Sequence, residues 1–205
     1  VIRTPDGHQI EVLPKIGREA YGNEQDTRKL LINMLRCLRE FRHIRTESAH
    51  IKSARMPLLE VFISEFLASV AHVVRRGLRS DYASRQDNLL ALRGKLKIAA
   101  HLRSNLTRAD RFFTEHDEFT PDRPENRLIR AALDQILKTT ATPENQRLAR
   151  ELQFAFAEIP ASTQPALDFQ KRRADRGMAH YDEALGWTRL ILSGFSPLTG
   201  SGEDK

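Results

Sequence analysis

The sequence predicts an α+β fold: a mainly helical body, a small N-terminal β-hairpin and a long projecting β-hairpin stalk. Three observations predict it. Several segments carry apolar residues at helical spacing. The first residues place a Pro-Asp-Gly turn between two short apolar-polar runs. Residues 90–103 switch to a two-residue alternation, the period of a strand with two unlike faces.

In chain order, Ile2-Arg3-Thr4 and Gln9 to Leu13 flank Pro5-Asp6-Gly7-His8 and read as a hairpin. Leu30, Leu31, Met34, Leu35 and Leu38 make one stripe of a helix over about 26–41. A second helix starts near Pro57, a residue suited to a helix's first turn, and is apolar nearly all round through Val74. Arg75 and Arg76 suit its negative end, and Gly77 can take the cap position. In 90–103 the even positions carry Leu, Leu, Gly, Leu, Ile, Ala and Leu, and the odd ones mostly Arg, Lys and His. That predicts a long strand with one apolar and one basic face, and Gly94 as a bulge. Ser104 to Arg108 is the turn, and Arg111 to Phe119 returns as the second arm. Its Glu115, Asp117 and Glu118 attract the basic arm.

Asp122 and Pro124 open a third helix with Leu128, Ile129, Ala132, Leu133 and Ile136 on one side. Thr142-Pro143 opens a fourth, with Leu148, Leu152, Phe156 and Ile159 on one side, and residues 160–167 form a connection. A last helix is expected over about 173–192. The segments are then a hairpin over 1–22, a helical body over 23–88, the long hairpin over 89–120, the body resumed over 121–194, and a linker over 195–205.

Composition narrows the function classes. Forty per cent hydrophobic residues suffice for a core. The most apolar stretch, Leu58 to Val74, is interrupted by Glu60, Glu65 and His72, so no membrane span is expected. No secretory leader is visible, and Cys37 is the single cysteine, so a reducing, cytoplasmic setting is expected without disulfides or a cysteine zinc cluster. The net charge is +6, and it is not spread evenly. Residues 75–111 hold ten Lys and Arg against three Asp and Glu, while the remainder holds 23 against 24. The whole basic excess lies in one segment, which permits a nucleic-acid or acidic protein partner.

Four stretches carry a resemblance. They are Arg76 to Tyr82, Leu92-Arg93-Gly94-Lys95-Leu96, His116 to Asp122, and Glu125-Asn126-Arg127 continuing to Leu133. In order and spacing they are similar to the McrC family. Ile10 to Ile16 resembles that family's N-terminal element, and Arg176 to Leu192 the helix before its nuclease domain. The resemblance implies a subunit of a modified-cytosine-dependent restriction system. Such a subunit docks on a hexamer of a McrB-like AAA+ GTPase, sends a stalk into its pore, stimulates GTP hydrolysis, and couples it to DNA cleavage by a C-terminal PD-(D/E)xK domain. Here the hairpin from Leu89 to Phe119 takes the stalk's position. That nuclease chemistry needs two acids and a Lys on neighbouring strands around Mg²⁺. Glu203-Asp204-Lys205 has the letters without a strand, so cleavage is not expected of this fragment. GTP is expected on the partner, since no Gly-rich phosphate loop is present.

The residues singled out for partner contact and GTPase stimulation are Arg93, Lys95, Lys97, Arg103, Arg108 and Arg111, with Arg103 and Arg108 nearest the expected tip. Against this stands a solvated basic face, or phosphate contact by a stand-alone DNA-binding module using 75–111. Asp117, Glu118, Asp122, Asn126 and Arg127 read as a structural motif, a strand end followed by a helix cap. The competing reading is a metal-dependent nuclease using the carboxylates of 115–122 with His116. Histidines 43 and 50 lack a matching carboxylate for zinc. Tyr181, Trp187 and Cys37 read as packing.

Overall fold

A computed structural model describes residues 57–172 and 177–194, together with 2, 3, 9, 10, 30, 33 and 34. Among these the fold is α+β, with six α-helices, a three-stranded antiparallel sheet and a two-stranded pair. The chain divides into two compact units, Arg79–Arg123 and the remainder.

In the larger unit, β1 (Ile2–Arg3) and β2 (Gln9–Ile10) pair antiparallel, Ile2 opposite Ile10. The Pro-Asp-Gly turn between them lies outside the described residues, as do Cys37, His43, His50 and the tail beyond 194. Of the helix expected over 26–41, Leu30, Asn33 and Met34 are helical, and the rest also lies outside.

Helix α1 (Leu58–Arg76) follows Pro57. It has apolar residues nearly all round, so it is covered nearly all round, and Val61, Ile63, Phe66, Leu67, Val70 and Val73 are fully buried. It ends at Gly77 with φ 88° and ψ 135°. The positive φ is the glycine's, although the pair is not the left-handed helical one expected. Helices α3 (Pro124–Thr139), α4 (Pro143–Ala155) and α6 (Asp182–Leu192) supply the other walls, with Leu128, Leu133, Leu152, Trp187 and Ile191 buried. Phe156 and Ile159 are buried too, but beyond the end of α4.

Two expectations are corrected here. The connection over 160–167 is cut by a seven-residue helix, α5 (Pro165–Lys171), because Pro165 begins a helix as well as interrupting one. The last helix begins at Asp182, after a 3₁₀ turn over Ala179–Tyr181, rather than near 173.

One polar group is built into this core. Glu60, on α1, accepts hydrogen bonds from Thr140 Oγ1 and the Ala141 N–H, both 2.7 Å, and from Asn145 Nδ2 at 2.8 Å. It thereby holds the α3–α4 connection and gives the Ala141 N–H its partner. Burial alone would raise its pKa, but the donors from Ala141, Asn145, Thr140 and Thr142 outweigh that and hold it below the usual carboxylate value.

Candidate partner interface

The smaller unit contains every residue singled out for partner contact. Its frame is a nine-residue ladder between β3 (Asp81–Leu89) and β5 (Phe112–Thr120), from Asp81 opposite Thr120 to Leu89 opposite Phe112. The other edge of β5 takes β4 (Lys95–Leu96), Lys95 opposite Glu115. The order is therefore β3-β5-β4, with β5 central.

The strand expected over 90–103 does not form. Leu90 to Gly94 is a bend, β4 is two residues long, and Ile98–Asn105 is a helix, α2. The arm expected over 111–119 is a strand, but its long partner is the polar segment 81–89, which the sequence places in the helical body over 23–88, so the hairpin does not run from 89 to 120 as expected. Two physical causes account for this. Gly94 sits at φ 69°, where L residues are strained, and breaks the extended run. A Cβ there would also run into the Glu115 carbonyl oxygen and fall 2.8 Å from the His116 Cβ. The glycine is thus what lets the bend lie against β5. The second cause is an ambiguity of period. Ile98, Leu102 and Leu106 satisfy a spacing of two and of four alike, and Ala99-Ala100 favours the helix.

Helix α2 is fastened by its polar side chains. Asn88 Nδ2 donates to Asn105 Oδ1 at 2.8 Å, and Asn105 Nδ2 donates back to Asn88 Oδ1 at 2.9 Å. His101 Nδ1 lies 3.0 Å from Asn105 Nδ2 and accepts the Phe113 N–H at 3.3 Å, which leaves the ring proton to Nε2. The His101 ring also stacks on Phe112 at 6.1 Å. Asn105 is buried at 6% exposure, while Ile98, Leu102 and Leu106 are 66%, 57% and 83% exposed. The amphipathic helix is mounted with its polar stripe against the sheet and its apolar stripe in solvent.

The predicted cations separate into two groups. Lys97 Nζ binds Glu115 Oε2 at 2.6 Å, and Arg111 donates to the Asn88 carbonyl at 3.4 Å. Lys95 lies opposite Glu115 in the β4–β5 pair. The Lys97 hydrogen bond, its charge, and lesser contributions from Ser84 and Lys95 hold the Glu115 carboxyl below its usual pKa. By contrast Arg93, Arg103 and Arg108 are exposed and form no ion pair among the described residues.

The acidic motif spreads apart. Glu118 pairs with Arg85 of β3 at 2.6 Å, Asp117 is exposed, and the Asp122 N–H donates to Thr120 Oγ1 at 3.2 Å. No three His, Cys, Asp or Glu residues among those described are grouped to hold a metal ion. Asn126 and Arg127 belong to the other unit. Asn126 is buried and accepts the Tyr181 hydroxyl at 2.9 Å. The Arg127 carbonyl accepts the Ser162 N–H at 3.1 Å, and Arg127 lines a cavity of about 460 Å³ with Asp168 and Lys171. Sequence reasoning missed the Asn88–Asn105 pair, for which an unpatterned polar segment gives no signal. It also missed the exposed stripe of α2, whose signal was present at the i, i+4, i+8 spacing.

Among known proteins, the model of the McrBC 5-methylcytosine restriction system component family matches residues 1–205. The chain belongs to that family. No curated protein matches it. The fold of this family member is similar to a chain of the cryo-EM structure of the Thermococcus gammatolerans McrBC complex. The TM-score is 0.65 at 23% identity, covering 87% of this chain and 54% of that one. It is equally similar, at TM-score 0.65 and 24% identity, to a chain in a refined half-complex from the tetradecameric assembly of Thermococcus gammatolerans McrB AAA+ hexamers with bound McrC. Coverage there is 87% and 43%. The chain spans about half the length of the solved chains it matches. No helix among the described residues is long and apolar enough to cross a membrane.

Proposed function

We propose that this chain is the McrC-like interaction part of a modified-cytosine-dependent restriction system, and that it docks on a McrB-like AAA+ GTPase hexamer. In this reading the unit over 79–123 is the stalk that enters the ring, stimulates GTP hydrolysis and couples it to DNA cleavage by a nuclease domain. GTP belongs to the partner and Mg²⁺ to the nuclease domain. The observation that carries the reading is the family match over all 205 residues. The likeness to chains of McrBC complexes supports it, as does a compact unit in which Arg93, Arg103 and Arg108 are exposed and form no ion pair among the described residues. Cations aimed at a transferring phosphoryl group, or at the loops that position it, raise GTPase rates strongly.

The test is GTP turnover by the cognate GTPase with and without this protein, beside the Arg103→Ala/Arg108→Ala variant. Stimulation is expected, and the double variant is expected to lose it. Stimulation that survives keeps the docking role and moves the trigger to Arg93 or Lys95. Absence of both stimulation and association overturns the reading. It leaves DNA binding through 75–111, which a steep salt dependence of DNA affinity without any motor would identify.

A further inference from the structure

We infer that the solvent-facing apolar stripe of α2 and its C-terminal cap, Ile98, Leu102 and Leu106, is a docking surface for an apolar groove rimmed by carboxylates on a protein partner. Resting on the reading above, that partner is the GTPase subunit.

Single exposed aliphatics are ordinary on protein surfaces. Three at i, i+4 and i+8, each more than half exposed, form a continuous stripe, and a surface helix normally turns such a stripe inward. Here the inward positions are taken by His101 and Asn105, whose amide and imidazole are hydrogen-bonded to β3 and β5. The helix cannot roll its leucines inward without breaking those bonds and burying unsatisfied polar groups. The mounting therefore holds the stripe outward, as a partner-facing helix requires.

Charge identifies the occupant. Arg93, Arg103 and Arg108, exposed and without an ion pair among the described residues, each follow an exposed leucine closely: Arg93 after Leu92, Arg103 after Leu102, Arg108 two residues after Leu106. Lys97, which precedes Ile98, is instead paired with Glu115, and Arg85 of β3 with Glu118. A surface alternating leucine and unpaired arginine matches apolar pockets ringed by Asp and Glu, where Arg is a favoured rim and anchor residue. A phosphate backbone would satisfy the arginines but leave the leucines in water, so a protein surface fits better than a nucleic acid.

The experiment compares association of the full-length protein with its cognate GTPase hexamer for wild type, Leu102→Gln/Leu106→Gln and Phe154→Gln, at physiological salt. Glutamine keeps helix propensity while removing the apolar tip. Phe154, 84% exposed in the other unit, is the control. The leucine pair is expected to weaken binding at least about tenfold, equivalent to about 1.4 kcal/mol, with the control within about twofold. A second readout is amide exchange in wild-type protein, which is expected to slow over 98–106 on complex formation. If the folded double variant binds as wild type does, or exchange over 98–106 is unchanged in the complex, the inference is overturned and the docking role stands. If wild type does not associate at all, the functional reading fails and this inference fails with it. If the double variant binds duplex DNA less tightly but the GTPase equally, the stripe serves nucleic acid and the inference is wrong.

Discussion

Helix α1 closes Ile63, Phe66, Leu67 and Val70 off from solvent completely, whereas α2 leaves Ile98, Leu102 and Leu106 more than half exposed. Both helices carry apolar residues at helical spacing, and they are stabilised by different physics. α1 is nineteen residues long and is held by non-directional burial against α4 and α6. α2 has eight residues, too few to persist alone in water. It is held by directional bonds from Asn88, Asn105, His101 and Phe113. A core helix tolerates repacking but not cavities. A hydrogen-bonded helix tolerates changes on its outer stripe but not the loss of a partner.

The largest expected effect tests the first half of that contrast. Phe66→Ala removes a fully buried ring from α1 and is expected to cost about 3–5 kcal/mol, read by urea unfolding. A loss below about 1 kcal/mol would mean that the helical unit closes around the gap, and the contrast between the packed α1 and the hydrogen-bonded α2 would weaken.

Next in size is Gly94→Ala. The positive φ and the approach of the bend to β5 predict a loss of about 1–3 kcal/mol confined to the smaller unit. Amide exchange would show it as faster opening over 95–120 with α1 and α3 unchanged. Uniform acceleration throughout the chain would break the comparison, because it would make the two units a single cooperative one.

How legible these two regions were in the sequence follows the same division. The helices α1, α3 and α4 were readable because burial imposes a 3.6-residue period on Leu128, Ile129, Ala132 and Leu133 that no other structure produces. Strand β5 was readable, and so was the attraction of Glu115 for the basic arm, realised as the Lys97 pair. Strand β3 was not. Six of its nine residues are polar or charged, and its pairing depends on partners more than twenty residues away in the chain. Helix α2 was misread because an outward apolar stripe on a short helix leaves the same mark at even positions as one face of a strand. Arg103 and Arg108 were legible as candidates by charge alone. That leucines stand beside them in solvent required knowing which face Asn105 and His101 occupy.

The smallest expected effect separates the two units electrostatically. Glu60 and Glu115 both have lowered carboxyl pKa values, for different reasons. At Glu60 burial is outweighed by neutral donors from Ala141, Asn145 and Thr140. At Glu115 the Lys97 hydrogen bond and charge do the work near the surface. In each case the folded value lies below the unfolded one. The stabilisation is therefore present above the ordinary carboxylate pKa of 4.5 and is lost as pH falls through the folded value. Salt distinguishes them, because a half-exposed ion pair is screened and a buried hydrogen-bonded carboxylate is not. In a carboxyl-carbon NMR titration, raising the salt concentration is expected to move Glu115 back toward its ordinary value and leave Glu60 where it is. If both move together, Glu60 owes its shift to long-range charge rather than to the α3–α4 connection, and that connection needs another explanation for its order. If neither moves, Lys97 acts on Glu115 through a hydrogen bond shielded from ions, and the smaller unit is less open to solvent than its exposed leucines imply.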